Sequence, residues 1–357
     1  MSKVRSLWDS VKGWWTENAA HHVYAPIPKE QTSADYDDTP LEPGGSYFRL
    51  WLSEMFLTKR VAWGKEWFPA VHGEVRLQFG GQGASFSRVA QPPQNQLGEG
   101  VRLDYRLTEL LPYNGGVVEI ETALLGLPGA DYLGTAIGVL QQFSSLISPP
   151  LGPAIALAQT LASGTRDMLS ATQGKVYLGF HQELVSAGAG GAVLRPGYLA
   201  VILAEPAEIS PDRLFVRDSR LLYCPAPGQE PRNLTGYDYM LLRVEGRKER
   251  DDWRLRNIQE PLTTAGQALL ESPPNTAKAD AYQTVALAAA WQSADLAQLD
   301  RRRVVEAIKA ELAQLANEPA GAVGGSLRTL NEIVSARAMP REQSDALGEL
   351  TADEVFG

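Results

Sequence analysis

The sequence predicts a mixed α and β fold of the α+β class: an antiparallel β-sandwich-like body with an inserted apolar helical hairpin and a C-terminal helical region. Three observations support this. Runs such as Val71–Phe79 alternate apolar and polar residues, which is typical of half-buried strands. Successive strands without helices between them favour antiparallel pairing. Residues 132–165 carry no charge, and after Arg256 apolar residues recur at helical spacing.

The first 46 residues are predicted to form an amphipathic helix and an irregular connector. Apolar residues between Val4 and Trp15 recur at helical spacing and place tryptophans on one face. Trp14 and Trp15 are therefore candidate partner-binding residues, although the same helix could dock its indoles on the body. Residues 23–46 are rich in Pro, Asp, Gly and Ser, which indicates a connector.

The β-rich body is predicted over residues 47–256. It begins with an apolar helix or strand at Tyr47–Leu57, which we expect to be core, Trp51 included. The Asn114-Gly115 dipeptide between two alternating runs is the signal of a hairpin with a type I′ turn. Further strands are predicted up to Val244.

The helical hairpin is predicted at residues 131–172, where two apolar arms flank Pro149-Pro150. One interpretation is burial, with Ala- and Gly-rich helices packed on a sheet. The alternative is a membrane-active effector whose uncharged residues 132–165 enter a membrane after a conformational change. Each arm is short for a span, which needs about 20 apolar residues.

The helical region is predicted at residues 257–339 and an acidic flexible tail at residues 340–357. Leu347, Leu350 and Phe356 punctuate the acidic tail. Such a segment could fold on a basic-rimmed groove of another protein, so these three residues are candidate partner-binding residues. The simpler interpretation is a frayed terminus.

Composition restricts the class of partner. The net charge is −9 and the pI is about 5.1, which argues against nucleic acid. Two basic clusters, Arg301-Arg302-Arg303 and Arg247-Lys248, lie among acidic residues and are interpreted as solvated faces. A single cysteine excludes an internal disulfide and fits a reducing compartment. Because neither a signal peptide nor a membrane span is evident, a cytoplasmic location is predicted.

The motifs of catalysis and of metal or cofactor binding are weak. A zinc site could combine neighbouring histidines with nearby carboxylates, namely His21, His22, Asp35, Asp37 and Asp38. Their spacing is not that of a zinc site, so no metal is predicted. The glycine-rich runs lack the Gly-Lys-Ser/Thr of a phosphate loop, and no cofactor is predicted. Glu119 and Glu121 share a strand face and are expected to lie on solvent.

The sequence therefore predicts a non-enzymatic interaction or structural subunit of a larger intracellular, bacterial assembly. Its partner would be another protein or a second copy of the chain. The membrane-active effector is one alternative. The other is a cysteine hydrolase in which His181 activates Cys224, although the glycine-flanked context expected of such a pair is missing.

Overall fold

The computed structural model of the chain describes residues 21–58, 61–62, 65–79, 82–90, 101–128 and 175–317. Its strands, in chain order, are Val23–Ile27 (β1), Ser46–Phe56 (β2), Val61–Ala62 (β3), Lys65–Phe79 (β4), Gln82–Ala90 (β5), Val101–Arg106 (β6), Leu111–Tyr113 (β7), Val118–Pro128 (β8), Lys175–Val185 (β9), Ala192–Val193 (β10), Gly197–Ile202 (β11), Leu214–Arg217 (β12), Arg220–Tyr223 (β13), Arg232–Asn233 (β14) and Tyr239–Arg247 (β15). Its helices are Arg256–Leu270 (α1), Thr276–Gln292 (α2) and Gln298–Asn317 (α3).

The prediction of a mixed α and β fold with antiparallel sheets is confirmed. The first sheet has the order β1-β11-β15-β2-β6, and β7 also pairs with β2. The second has the order β10-β9-β8-β4-β3, and β5 also pairs with β4. Strands β12, β13 and β14 form a third, smaller sheet. Among the described strand pairs only the short β9–β10 pair is parallel.

Two large hydrophobic clusters involve the first sheet. The larger cluster combines its residues with those of the second sheet, including Leu50, Leu52, Val71, Val75, Ile120, Leu124, Phe180, Leu242 and Val244. The other cluster joins residues of β1, β11 and β15 to apolar side chains of the third sheet, such as Leu214 and Leu221. Strand β15 contributes to both clusters because successive side chains of a strand point to opposite faces.

The prediction that residues 23–46 form only a connector is wrong at its start. Val23, Ala25 and Ile27 are buried, and β1 pairs with β11 along its whole length. Pro26 is tolerated because β1 lies at the edge of its sheet among the described strands. The prediction of core at Tyr47–Leu57 is correct for Leu50 and Leu52, and this segment is the strand β2.

The predicted Asn114-Gly115 hairpin is also wrong. Strands β6 and β7 pair with β2 in the first sheet, whereas β8 pairs with β4 and β9 in the second. The turn therefore connects two sheets. Positive φ angles occur at Gly115 (+91°) and Gly116 (+80°) and not at Asn114, so the reversal uses the two glycines rather than the predicted type I′ pair Asn114-Gly115. The dipeptide signals the turn but not the partner of the strand that follows.

The predicted helical region contains the helices α1, α2 and α3 in its described part, which ends at Asn317. Asn275 caps α2, since its side-chain oxygen accepts a hydrogen bond from the backbone N–H of Lys278 at 3.1 Å. The chain divides into two compact units. One combines the described residues up to Asn257 with Ala289–Val305, and the other combines Ile258–Ala288 with the described residues from Glu306 onward.

The predicted hairpin at 131–172 and the predicted tail at 340–357 lie outside the described residues. The sandwich arrangement stays a prediction. Within the part of the chain that the structure describes, none of the helices combines the length and the apolar character needed to cross a membrane.

Candidate anion-binding site on the first sheet

The first sheet has one face that contacts the third sheet, and we call it the outer face. On this face the side chains of β15 change from apolar to charged along the strand. Tyr239 and Leu241 belong to the hydrophobic cluster shared with the third sheet. Arg243, Glu245 and Arg247 continue the same face, because they follow at two-residue intervals. One half of this face is thus apolar and covered, and the other half carries charge.

Trp51 is the centre of the charged half. Register places Arg243 of β15 and Arg106 of β6 directly opposite Trp51 of β2, so the three residues form one row across three strands. Arg49 lies two residues before Trp51 on the same face. We call Arg49, Trp51, Arg106 and Arg243 the Trp51 cluster.

All three guanidinium groups of the Trp51 cluster lie near its ring. The Cζ atoms of Arg243, Arg106 and Arg49 lie 4.8, 5.3 and 5.5 Å from the ring centroid. These distances are within the range of cation–π attraction. Cation–π attraction to the indole favours this placement of the guanidinium groups and leaves their N–H groups able to donate to other acceptors.

Glu245 is the carboxylate that binds Trp51 and Arg49 of the cluster, together with the neighbouring Arg247. Its Oε2 accepts a hydrogen bond from Trp51 Nε1 at 2.6 Å and lies 3.5 Å from an Arg49 Nη. Its Oε1 accepts from Arg247 Nε at 2.5 Å. Arg247 also forms an ion pair with the exposed Asp251 at 3.0 Å. The side chain of Glu245 is only 15% exposed, so these bonds are partly shielded from water.

Burial and charge shift the pKa of two groups at this site. Burial lowers the pKa of Arg49, and the neighbouring charge of Glu245 opposes this effect. Burial alone would raise the pKa of Glu245, but the charges and hydrogen bonds of Arg49 and Arg247 lower it overall. Glu245 is therefore ionised at neutral pH and its negative charge is shared among arginines.

Two donors of the cluster have no acceptor among the described residues. They are the buried Nε–H groups of Arg49 and Arg243. Trp51, Arg106 and Arg243 are each half-buried, so the site is recessed but open to solvent. An anion placed beside Trp51 would satisfy donors that the chain itself leaves without a partner.

A buried hydrogen-bond network around Asp300 lies next to the cluster. It includes Tyr47, which is two residues before Arg49 on β2 and lies opposite Arg247 of β15 in the sheet register. The Asp300 carboxylate accepts hydrogen bonds from Tyr47 Oη at 2.8 Å, the Arg250 backbone N–H at 3.0 Å and Arg303 Nε at 2.5 Å. Each of these three donors thus has its acceptor within the chain. We therefore assign it a structural role, in contrast to the Trp51 cluster.

Comparisons with protein-family models, with curated proteins and with solved structures found nothing that matches this chain. The chemistry of the Trp51 cluster is therefore inferred from its own geometry. Its elements are a cationic, half-buried row of side chains, one internal carboxylate and donors that face no acceptor in the described chain.

A second polar group of residues lies on the second sheet. Register places Glu121 opposite both Glu74 and His181, so three ionisable side chains share one row. Glu121 is fully buried, which makes the prediction that it lies on solvent wrong, while Glu119 is half-buried. Alternation alone could not show this, because it does not reveal whether the polar face is covered.

His181 and Cys224 lie on different sheets. His181 is part of β9 in the second sheet, whereas Cys224 follows β13 of the third sheet. The buried thiol donates to the carbonyl oxygens of Ala226 and Gln229, at 2.9 and 3.2 Å. These bonds direct the thiol toward its own loop. The hydrolase stays an untested alternative.

Two of the candidate zinc ligands, His21 and Asp37, bind other side chains. His21 Nδ1 lies 2.7 Å from Glu205 Oε1, and the Asp37 carboxylate accepts hydrogen bonds from Thr39. In the described ranges, no group of three or more His, Cys, Asp or Glu side chains is arranged to hold a metal ion.

The predicted partner-binding residues Trp14, Trp15, Leu347, Leu350 and Phe356 lie outside the described residues. The Trp51 cluster was missed by the sequence analysis, which assigned Trp51 to the core. Its members come from three strands separated by up to 194 positions, from Arg49 to Arg243. The available signal was that Arg49 and Trp51 alternate with Phe48, Leu50 and Leu52.

Arg247 also differs from its prediction as part of a solvated face. Its side chain is 24% exposed and bonded to Glu245. One of the neighbouring acids, Asp251, forms an ion pair with Arg247, but Glu245 belongs to a larger cluster that sequence order does not reveal.

Proposed function

We propose that this protein is a non-enzymatic interaction subunit that binds an anionic group of a protein partner through the Trp51 cluster. The observation that supports it is the concentration of three arginines around one tryptophan, with buried Nε–H groups of Arg49 and Arg243 that lack an acceptor in the described chain. Tryptophan and arginine are also the residues enriched at the energetic centres of protein interfaces.

The charge balance at the cluster favours a partner over a purely structural role. Arginine stays charged in proteins, so three guanidinium groups beside one carboxylate repel one another. A structural network gains most when each buried donor and charge is matched, as at Asp300. A bound anion would supply the missing negative charge and the missing acceptors beside Trp51.

The proposed subunit uses the two large sheets as its scaffold. The sheets form a sandwich around their shared hydrophobic cluster, whose residues come from both sheets. The outer face of the first sheet then presents the Trp51 cluster to the partner. The assembly is cytoplasmic, in keeping with a single, buried cysteine.

The proposal is tested by site-specific photo-crosslinking in the cells that produce the protein. A photoreactive amino acid replaces the exposed Glu109, whose charge acts on Arg49. We expect one or a few proteins to be crosslinked. The yield should fall about tenfold when Arg106→Gln and Arg243→Gln are combined, because two charge-assisted contacts are lost.

Arg217→Gln is the matched control, since Arg217 is an exposed arginine at the end of β12. It removes the same charge outside the cluster and should leave the crosslinks unchanged. Identical crosslinks with and without the cluster arginines, in variants with unchanged thermal unfolding, would contradict the proposal.

A further inference from the structure

The Trp51 cluster has features that distinguish between anions. Arg49, Arg106 and Arg243 contribute three positive charges beside the ring, and Glu245 contributes one negative charge. Arg247 is a fourth cation, but it is paired with Asp251. The net charge beside Trp51 is thus positive and of about the size that a dianion would neutralise. Glu109 also acts on Arg49, but it is exposed and screened by solvent.

The placement of the arginines on the sheet favours the same class of ligand. Arg243, Arg49 and Arg106 belong to three adjacent strands, β15, β2 and β6, whose neighbours lie about 4.8 Å apart. Donors that come from three strands around one ring suit a tetrahedral group with three terminal oxygens. A carboxylate has two oxygens in one plane, and Glu245 already fills that role at the edge of the ring.

We infer that the Trp51 cluster binds a phosphomonoester on a side chain of the partner protein, an inference that rests on the proposed function. A phosphorylated side chain carries about −1.5 to −2 charges at pH 7 and three strong acceptor oxygens. In this complex its oxygens accept hydrogen bonds from the rims of Arg49, Arg106 and Arg243. The buried Nε–H groups of Arg49 and Arg243 then obtain their acceptor.

A protein-borne phosphate fits this site better than a membrane surface does. The side chain of Arg49 is only 11% exposed, so a ligand must reach into the face of the sheet. Most membrane phosphates are diesters with a single charge. The chain also carries a net charge of −9, which opposes approach to an anionic bilayer.

The test uses the full-length protein and small probes, so that it does not depend on knowing the partner. The probes are inorganic phosphate, blocked phosphoserine amide and blocked glutamate amide. NMR spectra record the arginine Nε–H signals during each titration. We expect those of Arg49 and Arg243 to shift with phosphoserine amide, and its affinity to exceed that of glutamate amide about tenfold, or about 1.4 kcal/mol.

The same titrations are repeated with cluster variants and at several pH values. Arg243→Gln should weaken phosphoserine binding about tenfold, Arg243→Lys less, and Arg217→Gln not at all. Because the second pKa of a phosphomonoester is near 6, its affinity should rise between about pH 5 and pH 7 while that of glutamate amide stays level. The titration of the unsubstituted protein decides the question even if a cluster variant fails to fold.

The titrations and the crosslinking together distinguish failure of phosphomonoester binding from failure of the proposed protein partner. Equal or tighter binding of glutamate amide, or unshifted Arg49 and Arg243 signals, would overturn the phosphomonoester while leaving cluster-dependent crosslinking intact. Binding only to vesicles that contain phosphatidic acid would overturn it in favour of a membrane. Phosphate binding without any cluster-dependent crosslink would support the anion site and contradict the protein partner.

Discussion

His72 shows how burial sets the chemistry of a single residue. It lies in the middle of β4 with 1% of its surface exposed, and burial lowers its pKa to about 4, although the charge of Glu74 opposes this shift. An imidazole in an unfolded chain titrates near pH 6.5. Between these two values the unfolded chain binds more protons than the folded one.

The free energy of unfolding should therefore fall as pH drops through the window from about 6.5 to 4. The loss from this residue approaches about 3 kcal/mol, since each pKa unit corresponds to about 1.4 kcal/mol. His72→Gln should remove this part of the pH dependence, as measured by urea unfolding at several pH values.

Urea unfolding at about pH 8, where an imidazole is neutral in both the folded and the unfolded chain, provides the control, because it measures the cost of His72→Gln apart from titration. An unchanged slope in His72→Gln across the same window would show that His72 is charged or hydrated in the folded state.

At the scale of elements, Tyr47 connects β2 to the start of α3. Its hydroxyl donates to Asp300 at 2.8 Å and accepts from the Ala297 backbone N–H at 2.8 Å. Burial, followed by the neighbouring Asp300, raises the pKa of Tyr47 above its usual range, so the hydroxyl keeps its proton. The strand and the helix thus share one fully matched polar group.

Tyr47→Phe should lower the free energy of unfolding by about 1–3 kcal/mol, because it leaves the buried Ala297 N–H without its acceptor. Tyr282→Phe removes the same atom from an exposed tyrosine of α2 and should have almost no effect. Urea unfolding of both variants measures the difference. A change in Tyr47→Phe as small as in the control would mean that water replaces the hydroxyl.

The elements also show which parts of the fold could be predicted. Alternation at Val71–Leu77 and helical spacing at Val304–Leu312 reflect local geometry, and both segments have the predicted structure. The partner of β8 was predicted wrongly, because Asn114-Gly115 specifies a turn and not the strand that pairs beyond it. Pairing depends on which buried faces meet, and those residues are distant in sequence.

At the scale of the whole molecule, the two large sheets approach closely at Gly73. A Cβ atom added there would lie 2.9 Å from Leu107 Cδ1 and 3.0 Å from its Cδ2. Gly73 belongs to β4 of the second sheet, whereas Leu107 follows β6 of the first and donates its backbone N–H to Leu50 of β2. Glycine at this position therefore sets how closely these two segments pack.

Gly73→Ala should destabilise the protein by about 1–3 kcal/mol through overpacking. Leu107→Val shortens the opposing side chain, so the cost of Gly73→Ala should be smaller in that background, with a coupling energy of about 1 kcal/mol. Gly45→Ala is the control, because its added Cβ would lie 3.1 Å from Cδ1 of the exposed Leu299 and at ordinary contact distance, 3.6 Å, from the side chain of Glu42. Additive effects in the double variant would contradict close packing at this point.

The sequence by itself determined the mixed α and β content, the antiparallel character of the sheets and the three described helices, because these depend on local periodicity and on how the strands follow one another. Tertiary structure alone decided that Arg49, Trp51, Arg106 and Arg243 meet on one face, and that Glu121 is buried rather than on solvent. The physical reason is that a strand's pattern marks its two faces but not what covers each face. A binding site built across three strands exists only after those strands have paired.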